Sequence, residues 1–335
     1  MHSFPRNLLL FAQPARRIGS TLMGLLLVLA AALLMSGCAT GALELAPAPA
    51  TELAAMPVAT ATAEPEPELI ALDHIHGMGY SADGTSLVVG THTGLRIFAD
   101  NRWFVADGPP HDYIAYAPTA DGFYASGYPA PDAPDASPLG LFKSRDMGAS
   151  IEKLGFEGEI EFHFLGAGYE SNVVYLVNEK STATLEPGLY YTTDDGATWQ
   201  AAAAQGVNWV TIQLAVHPTD PGILAFSSEG GVLLSTDNGD SFVPITDNAP
   251  RTAVTFSPAE IGVLHYGLHT LNRVGTDGAP PVAINTPLID ENDALIAIAV
   301  NPQNPDEMAI ATFNTLLWRT RDGGVSWQLL AAPPE

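Results

Sequence analysis

Beyond residue 67 the apolar positions come in short runs, alternating or continuous, broken at close intervals by Gly, Pro, Asn and Asp. That pattern predicts β-strands joined by turns, and no helical period competes with it. The last stretch is the plainest: 294–300 predicts an inner strand, 307–312 a second, 315–320 a third and 327–330 an outer one. The same order recurs upstream, with inner strands beginning near His74, Tyr113, Phe162, Val210, Thr252 and Ala294. Six units of four strands follow. A small sheet of this kind cannot bury both faces alone, so neighbours must stack around an axis. The predicted fold is all-β, a six-bladed β-propeller over 68–335. Seven blades is the alternative, because Leu69–Leu72 could pair with the last blade and close the ring.

The turns between third and outer strands repeat in sequence as well as in spacing. Thr192-Thr193-Asp194-Asp195-Gly196-Ala197-Thr198-Trp199 and Thr320-Arg321-Asp322-Gly323-Gly324-Val325-Ser326-Trp327 follow one pattern, S/T-x-D-x-G-x-S/T-W. Two further copies, built on Asp146 and Gly148 and on Asp237 and Gly239, end in Ile151 and Phe242. The copies start at 144, 192, 235 and 320, and the last interval is about twice a blade of roughly 40 to 50 residues. One copy has decayed, therefore, and Leu271–Gly278 sits where it belongs. The pattern resembles the Asp-box, or BNR repeat, of sialidases, sortilin-type receptors and related propellers. Its residues are those of a hairpin turn: Asp and Ser/Thr bond nearby amides, Gly supplies a positive φ, and the aromatic packs beside its strand. The boxes are structural.

Ahead of the propeller the pattern changes. Arg6, Arg16 and Arg17 precede an almost wholly apolar run from Thr21 to Met35. The run is short of the roughly 20 residues of a comfortable membrane span and has the make-up of an export signal covering 1–37. It ends in Leu34-Met35-Ser36-Gly37-Cys38, which resembles the lipobox of bacterial lipoproteins. That resemblance implies cleavage before Cys38 and lipidation of it; an uncleaved membrane anchor is the alternative. Residues 38–67, rich in Ala, Pro, Thr and Glu, read as a disordered tether. Either way the propeller is expected outside the cytoplasm, and the lipobox resemblance implies attachment to the membrane through Cys38. As Cys38 is the only cysteine, disulfides are excluded.

Charge narrows the partners. All 37 acidic residues lie beyond residue 37, with 10 of the 13 basic ones, giving the exported part a formal charge of −27. Such a surface repels phosphates, so nucleic acid is not an expected partner. A neutral glycan, a peptide, an envelope protein or a cation remains.

In a propeller the inner-strand starts and the loops after second strands share one face, the upper, while the box turns lie below. Most of the histidines map to the upper face: His74, His76, His92, His111 and His163, with His269 near it. Asp112, Glu161 and Glu179 map there too, as do the insertions 127–139 and 178–188. Long loops on a rigid scaffold are where function usually sits. His74 and His76 point to one side of a strand, a spacing suited to shared ligation or to lining a channel. Histidines at strand starts also serve simply to tie blades together. No Cys pair, His-Glu-x-x-His or EF-hand spacing is present. No cofactor is therefore required by a motif, and a transition-metal ion on His74, His76, His92, His111 and His163 is the one the residue types suit.

Asp73-His74-Ile75-His76-Gly77-Met78-Gly79-Tyr80, followed by Thr91-His92-Thr93-Gly94-Leu95, resembles a family of bacterial glycosyl-hydrolase-like Asp-box propeller lipoproteins. Ala125-Ser126-Gly127-Tyr128-Pro129 is similar to that family's Ser-Gly-His-Pro, with Tyr128 replacing its histidine, and Gly158–His163 is similar to its Gly-Glu-x-Asp-Phe-His. The resemblance implies a hydrolase-like fold but no particular reaction. Authentic sialidase chemistry is disfavoured: of the arginines beyond the signal only Arg251 maps to the upper face, and the Phe-Arg-Ile-Pro motif is absent. Three readings follow: a binding or assembly module acting through the His/carboxylate face, a glycoside hydrolase of neutral sugars with Asp112 and Glu161 as the catalytic carboxyls, or a metal-binding propeller using His74, His76, His92, His111 and His163.

Overall fold

The computed structural model describes residues 67–207 and 211–333. The expected export signal (1–37), the expected lipidation site Cys38 and nearly all of the expected tether lie outside the described residues.

Six antiparallel sheets of four strands are formed, each paired in sequence order from inner to outer strand. Their inner strands are Ile75–Tyr80, Asp112–Thr119, Leu165–Ala167, Thr211–Val216, Ala253–Phe256 and Leu295–Asn301. Blade three begins three residues later than the apolar pattern predicts. Phe162 is a buried loop residue instead, its N–H donating to Ser126 Oγ at 2.8 Å in blade two. Among the described residues there is no seventh blade. Ile70 makes a single parallel bridge to Ala331, and Ala332 N–H donates to the Ile70 carbonyl at 3.1 Å. The segment foreseen as closing the ring does so by extending blade six.

The core is not inside the blades but between them. Six apolar clusters are present, one for each pair of neighbouring blades. Blades six and one share the largest, in which Ile75, Met78, Leu87 and Phe98 meet Ala297, Ala309, Leu317 and Leu330. Each large side chain so buried contributes roughly 1.5–3 kcal/mol. Polar ties reinforce the joints. Trp103 Nε1 donates to the Leu330 carbonyl at 3.0 Å between blades one and six. Lys143, only 2% exposed, reaches Tyr124 Oη at 2.9 Å and Asp195 at 3.6 Å, joining blade two to blade three.

The four boxes form one hydrogen-bond network, repeated with little variation. In the last, Thr320 Oγ1 donates to Asp322 Oδ1 at 2.8 Å and accepts the Gly324 N–H at 3.0 Å. Asp322 in turn accepts Ser326 N–H at 2.8 Å and Ser326 Oγ–H at 2.6 Å. These donors hold the Asp322 carboxyl at about 2. The networks on Asp146, Asp194 and Asp237 match it bond for bond. Each box then docks on the preceding blade: Ile151, Trp199, Phe242 and Trp327 all pack into the cluster shared with it. Trp327 Nε1 also donates to the Asn285 carbonyl of blade five at 2.8 Å. In the decayed copy only Ala279 N–H to Asp277, at 3.0 Å, remains of this kind of bonding. Blade one has a two-residue turn, Asp100-Asn101, with φ of 48° and 61°.

Gly324 carries φ of +92°, and a Cβ there would lie 2.5 Å from Ile284 Cγ2 and 2.9 Å from the Asn285 carbonyl oxygen. Gly324→Ala is therefore expected to lower stability by about 1–3 kcal/mol, read as a reduced urea midpoint at unchanged slope.

Candidate functional site

At the upper end of blade one the inner strand carries a bulge. Ile75 faces Thr91 and Gly77 faces Gly90, so His76 is the extra residue. A bulge re-aims the side chain it inserts. Blades two, four and six bulge at the equivalent place, where the extra residue is Ile114, Ile212 and Ile296. A histidine thus stands where three other blades carry isoleucine. Gly77 lets the strand of blade two approach closely, since a Cβ on it would fall 2.8 Å from the Tyr116 carbonyl oxygen. That approach brings the first residue of blade two's inner strand, Asp112, beside the histidines of blade one.

The turn after blade one's second strand is tied by Thr91 Oγ1–H to the Gly94 carbonyl at 2.8 Å, and it presents His92 at the surface. His92 Nδ1 lies 2.7 Å from Asp112 Oδ1. Its Nε2 lies 3.4 Å from His76 Nε2. The His74 ring is stacked on His92 at 5.5 Å between centroids and meets His76 edge-on at 4.6 Å. His76, His92 and Asp112 each place a ligand atom within 4.8 Å of the others. Three imidazoles so close repel one another as cations. Burial, then His74, His92 and His163, pull His76 down to about 3, and burial, then His92, lower His74. His76 is neutral at physiological pH, with its ring nitrogens free of added charge.

A second group adjoins the first. Tyr128 pairs with Asp112 across blade two, and the Glu161 carboxylate lies near its phenol. Burial and that carboxylate push Tyr128 up to about 12, so it is a donor and not a nucleophilic phenolate. His163 Nδ1 lies 3.6 Å from Glu161 Oε1, and His163 adds to the charge repulsion felt by His76.

The other candidates lie elsewhere. His111 alternates with Asp112 and so faces the blade interior: it is 1% exposed, its Nδ1 accepts Ala130 N–H at 3.1 Å, and its ring meets Phe142. It props the 127–139 insertion and is not part of the cluster. His269 is exposed beside Asp290 in blade five, and Glu179 is exposed on blade three's upper loop. Tyr113 and Phe162 are buried packing residues. Asp293 caps a turn, accepting Ala294 N–H at 2.8 Å and Asn314 N–H at 3.1 Å.

Two neighbours of the cluster escaped the sequence reading. Asp73, next to His74, has both carboxylate oxygens buried without a hydrogen-bond partner. Its place beside the Asp73–Tyr80 run was the available signal. Arg96, assigned by strand order away from the upper face, folds back to donate to the Thr93 carbonyl and Oγ1, both at 3.1 Å. The upper face therefore carries Arg96 besides Arg251.

Comparison with known proteins bears on the repeats first: the BNR/Asp-box repeat family matches residues 190–201, the box of Asp194, Gly196 and Trp199. The propeller therefore carries a BNR/Asp-box repeat in its third blade. It is similar to a probable oligoxyloglucan-reducing end-specific xyloglucanase of Neosartorya fischeri, 25% identical over 170 residues, which cover 45% of this chain and 20% of that protein. Its fold resembles the GH74 enzyme of Niastella koreensis, with a TM-score of 0.52 and 16% identity over 79% of this chain and 46% of that one. The GH74 xyloglucanase of Xanthomonas campestris aligns with a TM-score of 0.49 and 17% identity over the same shares. The propeller thus spans about a fifth of the curated relative and less than half of these two enzymes.

The buried, neutral state of His76 has a measurable consequence. Its pKa falls on folding from the usual ~6.5, so below that pH the unfolded chain binds a proton that the folded one refuses until about 3. In EDTA-treated protein its imidazole signals should not titrate by NMR between pH 8 and 5. His76→Gln should recover up to about 2 kcal/mol of the stability lost between pH 7 and 5.

Proposed function

We propose that this chain is an exported, lipid-tethered propeller that binds a neutral glycan at its upper mouth without hydrolysing it. The observation that carries the reading is the engagement of Asp112 and Glu161, the two carboxylates foreseen as catalytic, by neighbouring side chains. A glycoside hydrolase needs one carboxyl as acid and a second as base or nucleophile, free to face the sugar about 5 to 9 Å apart. Here Asp112 is bound to His92 at 2.7 Å, while Glu161 lies beside the Tyr128 phenol and 3.6 Å from His163. Both orient neighbours. Groups locked in this way fix imidazoles and a phenol as hydrogen-bonding partners for hydroxyls, and the half-exposed Tyr128 ring offers a stacking face.

The glycan class is carried over from the relative named for xyloglucan, which is uncharged, and the −27 formal charge beyond residue 37 favours a neutral ligand over an anionic one. This binding mode requires no cofactor, and the imidazole cluster is where an accessory transition-metal ion would sit. Attachment to the membrane through Cys38 places the mouth outside the cytoplasm, on the tether of 38–67.

Calorimetric titration of the protein with xyloglucan oligosaccharides is expected to show saturable binding, with no new reducing ends released on long incubation. Tyr128→Ala should weaken that binding about tenfold, the loss of a stacking and hydrogen-bonding group. Release of reducing ends that disappears in Asp112→Asn or Glu161→Gln would replace this reading with hydrolysis, and no binding of any neutral oligosaccharide would remove it. For the anchor, Cys38→Ala should move the protein from the membrane to the soluble fraction and abolish incorporation of labelled palmitate. Unchanged fractionation would contradict the lipid attachment.

A further inference from the structure

We infer that His76 and His92 form the core of a transition-metal site of the zinc/copper class, with Asp112 holding His92 from behind. This goes beyond the glycan reading and stands on the cluster alone.

The spacing is the first argument. Two nitrogens bound to one tetrahedral ion at about 2.0–2.1 Å lie about 3.3–3.4 Å apart. His76 Nε2 and His92 Nε2 are 3.4 Å apart. As a hydrogen bond between two neutral imidazoles the same distance is at the long limit. The second argument is the arrangement around His92. Its Nδ1 meets Asp112 Oδ1 at 2.7 Å, so the proton of the neutral ring belongs on Nδ1 and the lone pair on Nε2, facing His76. A carboxylate behind a histidine whose far nitrogen faces a second histidine is the outer-shell arrangement of metal-bound imidazole.

Charge gives the third argument. Asp73, next to His74, buries two carboxylate oxygens that have no hydrogen-bond partner, a costly arrangement that a nearby cation relieves. Finally, His76 fills a bulge position taken by isoleucine in blades two, four and six, so packing alone does not call for an imidazole there. Nitrogen donors with one carboxylate suit zinc or copper(II), whereas calcium and magnesium want oxygen.

The test uses the full chain in detergent, without a polyhistidine tag, stripped with EDTA and titrated at pH 7.5 with zinc chloride. One zinc per chain is expected, with a Kd in the micromolar range or below, and calcium chloride should give no binding. His76→Ala and His92→Ala should each weaken zinc binding at least about 100-fold, and Asp112→Asn about 10- to 100-fold. X-ray absorption of the zinc-loaded wild type should show nitrogen neighbours at about 2.0–2.1 Å with imidazole scattering, a readout independent of whether the variants fold. Absence of saturable binding of both zinc and copper(II), an absorption spectrum without imidazole, or well-folded His76→Ala and His92→Ala proteins that bind zinc as tightly as wild type would each overturn the inference. Glycan binding by zinc-free protein that takes up no metal would sink this inference and leave the glycan reading intact. Zinc binding with no glycan affinity would do the reverse.

Discussion

Every blade has an apolar face that only the next blade can cover. That one constraint organises the molecule. Six interfacial clusters stand in place of a central core, and none belongs to a single sheet. A row of such sheets left open would expose the faces of its first and last members, so closure between blades six and one is a condition of stability. It is reached through apolar contact, the Trp103 bond to Leu330, the Ile70 bridge to Ala331 and the Arg319 guanidinium over the Phe98 ring.

The boxes apply the same constraint locally. Each one locks a turn with four side-chain hydrogen bonds and then sends its terminal Ile, Trp or Phe into the joint with the blade before it. Rigidity is concentrated at the lower end. The upper end is held by inner strands that are already fixed, and its loops can vary without disturbing the joints. This separation lets blade one place a histidine at a bulge where other blades have isoleucine, at no cost to the interfaces below.

At the upper mouth the deciding physics is desolvation. Imidazoles gathered by neighbouring strands cannot all be protonated, and those of His74 and His76 are held neutral. The carboxylate in contact with them becomes an orienting group: Asp112 fixes His92. The result is a preorganised set of nitrogen and oxygen groups gathered from two blades.

Strand order, blade number and the box turns were legible in the sequence, because each depends on local chemistry: alternation of apolar residues, Asp–amide bonds and glycines at positive φ. The gathering of histidines at one end followed too, since strand direction alone assigns an end. Which of them meet did not follow. His111 and Asp112 are adjacent, yet one props a loop inside the blade and the other binds His92, a difference set by strand alternation and the bulge. Asp73 and Arg96 entered the neighbourhood through side-chain direction, which spacing does not encode. The sequence by itself determined the ring and its polarity through short-range rules. Only the tertiary structure decided the site, because its contacts run between blades, and their distances depend on how closely two inner strands can approach.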